Sequence, residues 1–495
     1  MVTIVPSLII ASLLGGAFVM TAVAPFIRRM TKYVPSIVLL FNVLISLRLL
    51  LKSTNEPVVE FIGGWEPPYG INLVAGPMGS FLALIISLIA FLISLSFLKY
   101  EPTVEEVKFM ILFMLSVLGA SGLVLTGDIF NLFVFLELMT ISAYALVAYG
   151  RGGEGAEAGF KYLLAGSVAA NFYLISVILI YASLGSLNMA DLVSRMTMLK
   201  YGVALASMLF LVIGFATESE LFPLHGWAPD VYTGAPPSVA AFVSGVLVSA
   251  SLYVLARFFY TVFAELNALR SEMFAILMLL GVLTAIFGET VALVQRDYRR
   301  MLGYSSIGAA GMILVGLVSE IPYAFIGALL LIVAHGFAKV PLFMMSKHLE
   351  ENYGTRDMEK VKGAFKANSK LAIPLVAGSL TILGMPPFLG FWGKLLLIYG
   401  LALKYPIIAL IILLASIVEA AYYLRMLHRL VIQDGELKKQ IKIDTVELTT
   451  YYAFLALLII LGILPMLLSP YLAGAFIELS NPSFYIKVAM GVMGG

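Results

Sequence analysis

The sequence predicts an all-α polytopic membrane protein of about fourteen transmembrane helices, with two inverted five-helix repeats and broken helices in spans 7 and 12. Three observations carry this. Hydrophobic residues make up 61% of the 495-residue chain and mean hydropathy is +1.01, so a soluble form would expose one continuous apolar patch. Charged residues are 12%, against roughly 25% in soluble domains. The apolar residues gather into unbroken runs of about the 20 residues that a spanning helix needs, without the two-residue alternation of a membrane β-barrel.

The candidate spans are 3–26, 33–51, 72–98, 107–126, 129–149, 159–184, 201–222, 237–262, 273–293, 301–319, 322–346, 371–398, 405–427 and 450–475. The first lacks a basic leader and reads as a retained helix. With the N-terminus outside, the inner loops hold 21 of the 31 Lys and Arg residues, including Arg151, Lys438 and Lys439, and the outer side 8. That bias places both termini outside a prokaryotic cell membrane. The longest polar connection, 347–370, is too short for a soluble domain.

Composition also sets exclusions. A net charge of +2 gives no electrostatic footprint for nucleic acid. The absence of cysteine excludes iron–sulfur clusters and thiolate metal sites within this chain, and four histidines leave little for a haem or metal centre. No cofactor, no metal and no catalytic centre are expected here. No G-x-x-x-x-G-K loop occurs, so the chain alone is not expected to use ATP.

Two segments break apolar runs in the same way: Phe222-Pro223-Leu224-His225-Gly226-Trp227, and Gly384-Met385-Pro386-Pro387 leading to Trp392. Their tryptophans lie 165 residues apart, close to the offset between spans starting near 107 and 273. Blocks of five spans, an odd number, would be inverted relative to each other. That pattern marks transport pathways. It divides the chain into 1–106, a first repeat 107–262, a second repeat 273–428, and 429–495. A straight helix over 371–398 would be about 42 Å long, more than the roughly 30 Å hydrocarbon core, and Pro386-Pro387 removes two donors where it would break.

Ionisable residues at membrane depth are costly and by default functional. Glu137 lies nine residues past Asp128, about 13 Å into its helix, and must be paired, hydrated or protonated. Glu218 and Glu220 end an apolar run, and His225 follows in the first break; a helix end at the headgroups is the alternative for these three. His335 and Lys339, four apart, share a helix face and suit a proton relay. Lys394 follows the second break, Glu419 lies deep in its span, and Lys161 opens one, as an anchor or part of the path. The row Glu137, Glu218, Lys339 and Lys394 suits ion hopping.

The stretches Asp128–Glu137, Phe222–Asp230 and Gln295–Ser306, with His335-Gly-Phe-Ala-Lys339 and Gly390-Phe-Trp-Gly-Lys394, resemble the antiporter-like subunits of respiratory complex I. They resemble equally the large subunits of Mrp-type cation/proton antiporters and their relatives in archaeal membrane-bound hydrogenases. The resemblance covers about residues 70–430. It implies a fourteen-helix core that moves protons along a hydrophilic axis, with Glu137, Lys161, His335, Lys339 and Lys394 matching family positions. Two positions depart from it: Glu218 stands where the family usually has a lysine, and Ser249 where many members have another. The usual Glu–Lys pair of the first half-channel is therefore absent, which implies either a proton shared between Glu137 and Glu218 or a different ion such as sodium.

The expected function is an ion-translocating subunit, for protons or sodium, of a redox-driven complex of the archaeal membrane-bound hydrogenase type or a related one. Its partners would be other membrane subunits, iron–sulfur redox subunits among them, and the lipid bilayer. The alternatives are an Mrp-type sodium/proton antiporter, complex I, or, more remotely, a stand-alone solute transporter.

Overall fold

A computed structural model describes residues 5–54, 57–99, 101–150, 152–366, 368–435 and 440–490; Arg151, Lys438 and Lys439, used above for orientation, lie outside them. Twelve helical runs among the described residues are long and apolar enough to cross a membrane. The first is two helices, α1 (Ser7–Ile27) and α2 (Val34–Ser53), joined by a 3-10 turn at Arg28–Tyr33.

The third span starts later than its hydropathy suggests. Asn72–Ala75 is a strand, β2, antiparallel to β1 (Val58–Phe61) with Val58 opposite Ala75. Hydropathy alone does not separate a short buried strand from a helix. Pro77, in the first turn of α3 (Pro77–Ser94), costs no helical hydrogen bond there.

The next helices are α4 (Val104–Leu125), α5 (Ile129–Ala148), α6 (Gly152–Leu184), the short α7 (Met189–Arg195) and α8 (Tyr201–Glu218). Side chains that satisfy orphan amides set several of these starts. Thr103 and Glu106 form a reciprocal capping box on α4, and Asp128 accepts from the Phe130 and Asn131 amides on α5. The first break follows α8, and α9 (Ala228–Gly234) resumes the helix. Then α10 (Pro237–Phe242) and α11 (Val248–Arg257) form one continuous run, with π-helical turns at Val243–Leu247 and Phe258–Val262.

The second part comprises α12 (Asn267–Val294), α13 (Tyr298–Leu317), α14 (Pro322–Tyr353), α15 (Ser369–Leu383), α16 (Leu389–Lys404) and α17 (Pro406–Leu427). The expected break in 371–398 falls between α15 and α16, at Gly384, whose φ of +74° suits a residue without Cβ. The last expected span, 450–475, is also divided. It becomes α18 (Thr445–Ile463) and α19 (Ser469–Ser480), with α20 (Pro482–Ala489) beyond. Pro465 and Pro470 interrupt it, since proline cannot continue a helix.

The bundle centre is α14 against the run Pro237–Val262, whose most apolar stretches are 94% and 100% buried. At the periphery, the corresponding stretch of Pro406–Ile432 is 33% buried. Helices that meet closely include α4 with α5, α6 with α8, α12 with α13, and α14 with α16.

Candidate functional site

The first cluster lies where α5, α6 and α8 meet. Glu137 is half-buried. Glu218, the last residue of α8, is 2% exposed, and neither carboxylate oxygen has a partner among them. The one charged group that acts on Glu218 among the described residues is Glu137, a second acid and not a lysine. Gly166 on α6 leaves room for Tyr144 and Glu218. A Cβ there would lie 1.7 Å from the Tyr144 hydroxyl and 3.0 Å from a Glu218 oxygen. The Gly166→Ala exchange should displace Tyr144 and lower the protein's stability by about 1–3 kcal/mol, the usual cost of overpacking; an unchanged thermal midpoint would contradict this packing. Tyr162 stacks on Trp227 at 4.1 Å between ring centres and meets Tyr144 edge-on at 4.5 Å, roofing the acids with aromatic rings.

The second cluster joins the two parts of the chain. Glu220, fully buried, has a φ of 59°, unusual for a side-chain-bearing residue and frequent at functional sites. This backbone turn, after the end of α8, is how residues two apart both become buried. Glu220 accepts a 2.5 Å hydrogen bond from the Tyr232 hydroxyl, while its other oxygen has no partner among the described residues. Among the described residues the Tyr232 hydroxyl hydrogen-bonds only Glu220, and Ser244 and Ser306 act on it from further away. Ser244, in a π-helical turn, bonds Ser306 at 2.8 Å and His335 Nε2 at 3.2 Å. Such turns are frequent at functional sites. One helical turn on, Lys339 is fully buried and donates to the Leu302 carbonyl at 2.8 Å. Pro341 removes a helical donor nearby. The carboxylates that act on the Lys339 charge are Glu289, Glu419 and Glu220.

The third cluster lies in the second part. Lys394, on α16 just past the break, forms an ion pair with Glu419 of α17, both buried. Glu289 of α12, fully buried, accepts from the Tyr422 hydroxyl at 2.7 Å. Gly308 leaves it room, since a Cβ there would lie 2.2 Å from a Glu289 oxygen. Tyr423 presents its ring to Lys339 at 5.7 Å and its hydroxyl to Ser305 at 3.1 Å.

The structure therefore brings seven expected residues into one row, six of them buried and Glu137 half-buried: Glu137, Glu218, Glu220, His335, Lys339, Glu419 and Lys394. Two stand apart. Lys161 is exposed and paired with Glu157 at 2.7 Å and Asp230 at 2.6 Å. His225 is half-buried between Phe222 and Phe287, its Nδ1 without a partner among the described residues. Sequence reasoning passed over Glu289, in a helix read as an ordinary span. It passed over the tyrosines because tyrosine is common in membrane helices. Arg257, near the end of the expected span 237–262, is 1% exposed and bonds the hydroxyls of Tyr253 and Tyr485. Arg425, near the end of α17, caps the end of α12 through the Leu293 and Gln295 carbonyls.

A family model described as NADH:quinone oxidoreductase/Mrp antiporter, TM, matches residues 126–419. NADH-quinone oxidoreductase subunit N of Desulforudis audaxviator is 35% identical over 379 residues, covering 76% of this chain and 75% of that one. A Na(+)/H(+) antiporter subunit of Bacillus subtilis is 30% identical over 437 residues, 87% of each chain. Among solved structures, a chain of the membrane-bound sulfane sulfur reductase, an archaeal respiratory membrane complex, matches with a TM-score of 0.92 at 32% identity, covering 98% of this chain and 99% of that one. A chain of the Mrp complex from Dietzia sp. matches at 0.89 with 21% identity, covering 98% and 99%, a likeness of fold alone.

Proposed function

The chain belongs to the NADH:quinone oxidoreductase/Mrp antiporter transmembrane family, and we propose that it is the ion-translocating membrane subunit of a multisubunit, redox-driven respiratory complex. The observation that carries this is the buried row itself. Acids and bases alternate with tyrosine, serine and histidine from α5 to α17, across both broken helices. Charges that deep are retained where ions move.

The ion is a proton, with sodium as the alternative in the first cluster, where two acids meet without a lysine. The repeats 107–262 and 273–428, flanked by 1–106 and 429–495, are the two halves of the pathway. Their matched order of contacts favours this: α4 on α5 and α6 on α8 parallel α12 on α13 and α14 on α16. Counting α1 and α2 separately, and α15 with α16 as one broken span, gives fourteen spans. Lys161 and His225 would act at the margins of the path, Lys161 within an ion-pair cluster and His225 beside the first break. The loop charges favour a prokaryotic plasma membrane with both termini outside.

Within the family, the 32% identity to a sulfane sulfur reductase chain over 98% of this one favours a redox complex of that kind or the hydrogenase kind. Its partners would be membrane subunits and iron–sulfur redox subunits, since without cysteine this chain holds no such cluster. An Mrp-type antiporter is the second reading, on the 30% identity to the Bacillus subtilis antiporter chain. Purification through a tag on this chain tests the choice. Co-purifying iron–sulfur subunits are expected; a set of membrane subunits only would select the antiporter, and a lone, active chain would contradict the proposal.

A further inference from the structure

Resting on that reading, a second set of contacts across the same seam bears on how the row is held. The short α9 ends with unsatisfied carbonyls, and cations are favoured there. The cations come from the second part of the chain. Arg299 of α13 donates to the Thr233 carbonyl at 3.1 Å and the Ala235 carbonyl at 2.9 Å. Arg356, just past α14, donates to the Thr233 carbonyl at 2.7 Å.

Both arginines are braced from their own side. Arg299 meets Ser346 at 2.6 Å and Glu350 at 2.8 Å. Arg356 meets Asp297 at 3.0 Å and Glu350 at 3.3 Å, and its carbonyl accepts from the Tyr298 amide at 3.0 Å. One further pairing, with Glu154 at 3.5 Å, reaches back to the start of α6.

The residue before the gripped carbonyl is Tyr232. Its ring stacks on Phe343 of α14 at 5.1 Å. On the other side, a Cβ at Gly303 of α13 would lie 2.8 Å from that ring. Its hydroxyl returns to Glu220. A tyrosine from the first part is thus seated in the second and points back at an acid of the first.

We propose that Arg299 and Arg356 are positioning residues for ion transfer across the seam: by gripping the carbonyl end of α9, they hold the Tyr232 ring between α13 and α14 and its hydroxyl on Glu220. The grip joins the end of α9 to the start of α13 and the residues just past α14, with Arg299 buried and Arg356 18% exposed. Loosening it interrupts the row without touching any of its ionisable groups.

The test is a functional double-mutant cycle in the whole complex, reconstituted in vesicles and followed by ion uptake per redox turnover. Tyr232→Phe, Arg299→Gln and Arg356→Gln are each expected to slow uptake by between about tenfold and a hundredfold, the usual cost of misplacing a reacting group. Either arginine exchange made on top of Tyr232→Phe is expected to add nothing further, because all act through one hydroxyl. Unaltered uptake in the single variants, or losses that multiply in the doubles, would overturn the proposal; a purely structural arginine gives the multiplying result. If Arg299→Gln prevents assembly, Arg356, 18% exposed, carries the test. Intact uptake in a Glu137→Gln/Lys394→Ala control would instead refute the underlying reading of the row.

Discussion

Replacing Lys394 by alanine is expected to abolish ion movement through the second half of the chain, a loss of at least about a hundredfold if the lysine transfers protons. The structure gives two reasons. Lys394 is the partner of Glu419 in a buried ion pair, and it stands where α16 restarts after the break, at the end of the row. Removing one member of a buried pair also leaves the other charge uncompensated, at a cost of about 3–5 kcal/mol. A loss of activity in Lys394→Ala alone would therefore mix instability with lost transfer. The Lys394→Met/Glu419→Leu double variant separates them. It removes both charges and keeps apolar volume, and such replacements are often neutral or stabilising. It should assemble with near-normal thermal stability and still move no ions. Ion movement at the wild-type rate in a stably assembled double variant would show that the pair only holds helices together.

The second large effect concerns Glu218. Opposite charges near each other favour the ionised forms, whereas two carboxylates at close range favour a shared proton or a bound cation. Glu137 is the charged group that acts on Glu218, and both Glu218 oxygens lack partners among the described residues. Glu218→Gln should therefore remove the shared site and reduce ion uptake by about tenfold or more if the acid takes part in proton transfer. Glu218→Lys should restore the opposite-charge pair usual in the family and remove any sodium dependence. Measuring uptake per turnover with and without sodium distinguishes the cases. Unchanged uptake and unchanged sodium dependence in both variants would remove the first cluster from the pathway.

Much of this was legible in the sequence because the bilayer imposes strong rules. Apolar runs of the required length located the spans, and Pro-Gly segments located both breaks, since few other features interrupt a membrane helix. Glu137, Lys339 and Lys394 were recognisable because charges at that depth have no ordinary explanation. Errors arose where hydropathy does not determine conformation. Asn72–Ala75 is as apolar as a helix start yet pairs as a strand, and 450–475 reads as one run although Pro465 divides it. Glu220 was ambiguous because its burial depends on a left-handed backbone turn that no propensity announces.

Tyr232, Ser244 and Ser306 were invisible for a different reason. A hydroxyl matters only when tertiary structure sets it between two charged groups. Arg257 shows the converse: a charge near an assumed helix end counts as topology until packing places it inside, as it does here. Lys161 was recognised by its place in a motif, but its two carboxylate partners hold it at the exposed margin.

The claim that ions cross through this chain's buried row is tested most directly by one comparison. The complete complex, wild-type or carrying Glu137→Gln and Lys394→Ala together, is reconstituted in vesicles, and internal pH and sodium are recorded while redox turnover is driven. Turnover that continues without ion accumulation in the variant is the expected result. Accumulation at the wild-type rate, in vesicles shown to contain the assembled variant complex, would contradict it.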